Sequence, residues 1–214
     1  MTVKQSFSLL FLFLILLSCG KGGSGDSTDS GLNLDQEEIS NSTPVPGAAK
    51  TFEVNPIMVG FSAAQEEKIT RAAELIKKVV ASTEFKNRII NYYYNGKKAF
   101  IDADMTNAQV YKKILEASEK MSNGGRNNTM DLEIELYGDD GSNTIGYTYP
   151  NVVRIFMNTK YFSKFNASQV ADNMFHEWLH KIGFKHAVDA TPSRGHSVPY
   201  AIGYLVKSLS KNYL

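Results

Sequence analysis

Three of the chain's four histidines fall in one short run, His176-Glu177-Trp178-Leu179-His180-Lys181-Ile182-Gly183-Phe184-Lys185-His186. On a helix, His176 and His180 stand one turn apart and leave the same face. Two neutral ring nitrogens at that spacing can meet one Zn²⁺ at about 2.1 Å. Glu177 sits beside them, placed to take a proton from a water held at the ion. Gly183 can adopt a backbone conformation that other residues resist, so it can end the helix and turn the chain back. His186 then comes within reach as a third ligand, and the fourth position is left for water. A purely structural zinc site usually closes that position with protein and needs no base, so Glu177 points to catalysis.

The elements that must hold these residues are legible as patterns. Asn166-Ala167-Ser168-Gln169 starts a helix, and Val170, Met174, Trp178 and Ile182 form one apolar stripe along it, widened by Phe175 and Leu179. That stripe can bury against a sheet while His176 and His180 face a cleft. Met130, Leu132, Ile134 and Leu136 alternate with Asp131, Glu133 and Glu135, which predicts a half-buried strand. A second strand is expected over Asn151 to Asn158. Ser62 to Gln65 forms a capping box for a long helix that ends before Asn87. Arg88 to Tyr94 reads as a strand or a helix-to-turn segment closed by Asn95-Gly96, with Tyr92, Tyr93 and Tyr94 packed on the sheet in preference to lining a groove. Thr106 with Gln109 opens another helix, finished by Asn123-Gly124-Gly125. Gly138-Asp139-Asp140-Gly141 is a turn whose acidic pair does not match a calcium loop. Pro199 fits the first turn of a closing helix through Ile202, Leu205, Val206 and Leu209.

The chain has 214 residues, a formal net charge of +1 and no concentrated basic run, which gives no support for nucleic-acid binding. Its single cysteine, Cys19, excludes an intrachain disulfide. Met1 to Lys4 is a short basic start, and Phe7 to Leu17 is an apolar run too short to span a membrane comfortably, as in a secretory signal. Leu16-Leu17-Ser18-Cys19 resembles a bacterial lipobox, in which the cysteine becomes the lipid-bearing N-terminus. The following Gly/Ser/Asp/Thr-rich stretch cannot bury enough apolar surface to order itself. The expected organisation is a signal peptide over 1–18, a lipidated cysteine and flexible linker over 19–50, and one domain over 51–214.

With helix, glycine and third histidine in place, the chain resembles the metzincin metallopeptidases. The extended H-E-x-x-H-x-x-G-x-x-H pattern carries the resemblance, and by chance it arises in such a chain on the order of 1 in 100,000 times. The resemblance implies an α+β zincin fold: a twisted mixed sheet with packed helices and a small C-terminal subdomain closed by a helix. It implies zinc at His176, His180 and His186, and Glu177 as the base acting on water; Tyr200 is either a hydrogen-bond donor to the tetrahedral intermediate or a helix-start residue packed on the base of the site. It also implies that the strand around Val153 to Asn158 forms the rim on which an extended substrate adds as a β-strand. One departure stands out: Ser197-Val198-Pro199-Tyr200 replaces the family's Ser-x-Met turn, so proline stands where methionine is expected.

The function expected is zinc-dependent endopeptidase action on a peptide or protein by a monomer, lipid-anchored in a bacterial cell envelope with its domain outside the cytoplasm. The alternative is a zincin-fold lipoprotein without catalysis that binds or assembles other proteins; amidase action on cell-wall peptides would use similar chemistry. Asp172 and Asp189 are candidates to orient a ligand imidazole, and His196 reads as a loop histidine.

Overall fold

The structure is a computed structural model that describes residues 51–119, 127–138, 141–149 and 152–214. The signal, Cys19 and the linker to residue 50 lie outside the described residues, as do Asn123-Gly124-Gly125 and Asp139-Asp140. In chain order the elements are β1 (Glu53–Val59), α1 (Ala63–Val80), α2 (Thr83–Ile90), α3 (Asn107–Glu116), β2 (Thr129–Tyr137), β3 (Gly146–Thr148), β4 (Arg154–Asn158), α4 (Thr159–Lys164), α5 (Ala167–Lys181) and α6 (Val198–Ser210). A 3₁₀ turn, Arg194–His196, precedes α6.

The alternating pattern of β2 is realised with Met130, Leu132 and Ile134 buried. Its polar side faces outward, where Glu133 and Glu135 pair with Arg154 of β4. β2 is central. It runs parallel to β1 on one side and to β4 on the other, and β3 adds antiparallel to β4, giving the order β1-β2-β4-β3. The result is an α+β architecture: a four-stranded mixed sheet with helices packed on it.

Three capping boxes start the helices where their sequences announce them. Ser62 and Gln65 open α1, Thr106 and Gln109 open α3, and Asn166 and Gln169 open α5, each pair reciprocally satisfying two free N–H groups. Every member of the α5 stripe is buried, from Val170 to Ile182, together with Phe175 and Leu179. Those residues meet α1, α6 and the sheet in one continuous core. Trp178 is fully buried, edge-on to Phe52, and its indole N–H donates to the buried Glu119. Among the described residues no helix is long and apolar enough to cross a membrane.

Several expectations need correction. The first long helix stops at Val80, and Ser82 caps a second one, accepting from Phe85 N at 3.1 Å; this helix runs to Ile90, so Arg88 to Tyr94 takes the helix-to-turn form of the two expected. β1 escaped notice because apolar residues fall on both of its faces: Val54 and Met58 pack against the core, while Ile57 is 59% exposed and Val59 37% exposed, and Pro56 interrupts the run. An edge position tolerates that proline. Of the strand expected over Asn151–Asn158, Asn151 lies outside the described residues, Val152 and Val153 are not strand, and Arg154–Asn158 is a strand internal to the sheet. The rim is β3, a strand too short to read from sequence. The tyrosines make other contacts than the sheet packing expected: Tyr92 stacks on Phe100 and lines a small pocket with it, and Tyr94 stacks on His196.

Candidate metal centre

Helix α5 ends in a Schellman motif, and that motif builds the site. Gly183 takes φ +96°, its N–H donates to the His180 carbonyl at 3.0 Å, and the Phe184 N–H donates to the Leu179 carbonyl at 3.0 Å. Phe184 is buried beside Leu179, the apolar contact that accompanies such a cap. The reversed chain brings the Phe184 carbonyl to His180 Nδ1 at 2.9 Å. A carbonyl only accepts, so Nδ1 carries the proton and Nε2 keeps its lone pair. His186 repeats the arrangement, with Nδ1 donating to the Ala187 carbonyl at 2.9 Å. The backbone of Pro199 hydrogen-bonds to His176.

The three rings converge. Centroids of His176, His180 and His186 lie 4.9 to 5.2 Å apart, and one potential ligand nitrogen from each falls within 4.8 Å of the others. Four tetrahedral nitrogens at about 2.1 Å from zinc would stand about 3.4 Å apart, so a small inward movement of rings completes the set. Burial holds all three imidazoles below the usual histidine range, His176 down to about 3, which keeps them neutral and able to ligate. Neutral imidazoles with backbone carbonyls on the second nitrogen are the donor set that zinc takes. The residues therefore fit a divalent metal such as zinc.

Glu177 is on the same helix and only 5% exposed. Burial pushes its carboxyl up to about 7, against the opposing charge of Lys181. Lys181, one turn on, is itself pulled down to about 8 by burial while Glu177 pulls the other way. Its ammonium donates to the carbonyls of Tyr149 and Val152, tying the end of the β3 segment to α5. All three histidines and Glu177 line one cleft of about 900 Å³ whose opposite wall includes Gly146, Tyr147 and Thr148 of β3.

Tyr200 is brought to the cluster, its ring 4.5 Å from that of His176 and 4.7 Å from that of His186. Close packing of α6 on α5 places it there. At Gly203 an added Cβ would stand 2.7 Å from Asp172 Oδ1 and 3.3 Å from His176 Cβ. Asp172 orients no imidazole; it pairs with Lys207 at 3.2 Å. Asp189 is exposed. His196 faces a separate pocket of about 220 Å³ with Tyr92 and Phe100, its Nδ1 2.8 Å from the Tyr92 hydroxyl.

Sequence reasoning missed Arg194, whose guanidinium lies over the Tyr200 ring at 4.8 Å and lines the cleft. A single arginine in a Ser/Gly loop carries no pattern. It also missed the backbone carbonyls of Phe184 and Ala187, which any sequence supplies and only the turn directs. No protein-family model, curated protein or solved structure matches the chain.

Proposed function

We propose that the chain is a zinc-dependent metallopeptidase of metzincin-like zincin fold, anchored through a lipidated Cys19 to a bacterial membrane, with its domain, residues 51–214, outside the cytoplasm. The observation that carries the reading is a buried carboxylate, Glu177, beside three converging neutral histidines in an open cleft. Held by His176, His180 and His186, zinc would supply Lewis acidity to a carbonyl oxygen and to water.

The chain's own residues then have distinct tasks. Glu177, pushed up to about 7, is matched to taking a proton from the attacking water near neutral pH and passing it to the leaving amine. The Tyr200 hydroxyl would donate to the carbonyl oxygen as that oxygen gains charge. β3 is an edge strand on the cleft wall, suited to an extended peptide that adds by main-chain hydrogen bonds. The alternative of a binding protein without catalysis rested on the missing methionine. Pro199 occupies that place, buried and hydrogen-bonded through its backbone to His176, which favours an intact site.

The test compares the full chain with Glu177→Gln for zinc content and for cleavage of an unbiased peptide library. One zinc in both, with turnover lowered about 10²–10⁴-fold in the variant, is the expected result. Zinc held by both with no cleavage by either would sink the hydrolase reading in favour of the binding protein.

A further inference from the structure

The charged side chains lining the cleft are Asp172, Glu177, Lys185, Arg194 and Lys207. Lys207 is answered by Asp172 at 3.2 Å, and Lys185 is exposed to water. Arg194 is half-buried. Its Nε is buried without a hydrogen-bond partner, and its guanidinium forms no ion pair with a carboxylate of the described residues. Its contacts in the site are with Tyr200: the guanidinium lies over that ring and shares a hydrogen bond with its hydroxyl.

A guanidinium set over an aromatic face keeps N–H donors around its edge, in the fork that matches a carboxylate. Leaving the buried Nε–H unpaired is unfavourable, and a ligand that satisfies it gains what the free protein forgoes. The Tyr200 ring beneath the guanidinium lies 4.5 Å from the ring of His176 and 4.7 Å from that of His186, and Arg194 lines the same cleft as the three histidines. That places the guanidinium beside the reacting position.

We propose that Arg194 is the specificity residue of this cleft and binds a carboxylate carried by the substrate next to the reacting bond. The inference rests on reading the cleft as a peptide site and names the class of peptide it takes. The carboxylate is either an acidic side chain or a free C-terminus, both presenting the same two oxygens to the fork.

The experiment uses the full-length, zinc-loaded chain carrying Glu177→Gln, so that peptides bind without being cut. Calorimetry compares two matched pairs: C-terminally amidated peptides with glutamate scanned along the chain against glutamine, and glutamine peptides with a free against an amidated C-terminus. One arm should show about tenfold or tighter binding of the carboxylate member, and that arm identifies the source. Adding Arg194→Gln should bring the pair within about twofold of each other by weakening the carboxylate member. Arg194→Lys, which keeps the charge without the fork, should retain only part of the preference and serves if the glutamine variant does not fold.

Equal binding in both pairs, no measurable binding of any carboxylate peptide, or a preference that survives Arg194→Gln would each overturn the assignment. The hydrolase reading fails separately. A Glu177 chain that shows the preference but never cleaves loses its catalytic role and keeps its carboxylate anchor; one that cleaves without the preference does the reverse.

Discussion

His180 Nδ1 donates to the carbonyl of Phe184 at 2.9 Å, so the turn that ends α5 also decides which nitrogen of His180 faces the cleft. Helix termination and ligand tautomer are one structural event here. Gly183 enables it by holding φ at +96°.

Gly183→Ala forces a β-carbon into that left-handed conformation. The expected cost is about 1–2 kcal/mol of stability, with a weakened hold on zinc because both the His180 bond and the approach of His186 depend on the turn. Thermal unfolding and chelator competition for zinc measure the two effects. A variant that holds zinc as tightly as the parent would show that His186 reaches the cluster without this turn.

Gly203→Ala acts from the other side of the site. A new methyl 2.7 Å from Asp172 Oδ1, 3.2 Å from the Asp172 carbonyl and 3.3 Å from His176 Cβ turns the Asp172 carboxylate aside and shifts α6 from α5 by a few tenths of an ångström. Overpacking of this kind costs about 1–3 kcal/mol, and it moves Tyr200 relative to His176. Turnover is expected to fall further than stability alone explains. An unchanged kcat in a folded variant would show that packing at Gly203 does not position Tyr200.

Glu119 gives a pH dependence that does not involve the metal site. Burial raises its carboxyl above the ordinary value of 4.5, against the hydrogen bonds from Trp178 and Asp131. An acid raised in the folded state binds its proton more tightly there than in the unfolded chain. Its contribution is therefore neutral below about pH 4.5 and becomes destabilising as pH rises from there through the folded-state pKa. Glu119→Gln keeps an acceptor for the Trp178 indole and removes the charge. Denaturation at pH 4 and pH 7 should show the variant gaining on the parent as pH rises; a constant difference would show that Glu119 is not desolvated.

Glu177→Gln and Arg194→Gln, tested as described above, separate chemistry from recognition. The first should lower turnover about 10²–10⁴-fold with zinc retained. The second should remove the preference for a carboxylate.

The sequence alone determined whatever is local. The one-turn spacing of His176 and His180 follows from helix geometry, the three capping boxes from side chains three residues apart, and the buried face of β2 from strict alternation. Gly183 was legible as a helix stop because few other residues tolerate its conformation. Tertiary structure decided what depends on distant partners. The helix break at Ser82 is a weak local preference that packing settles, and β1 and β3 are edge strands whose identity comes from the neighbours they pair with. Burial of Glu177, and hence its pKa near 7, requires the sheet and α6 around it. Arg194 gains meaning only because packing of α6 through Gly203 carries Tyr200, and the guanidinium over it, to the edge of the histidine cluster.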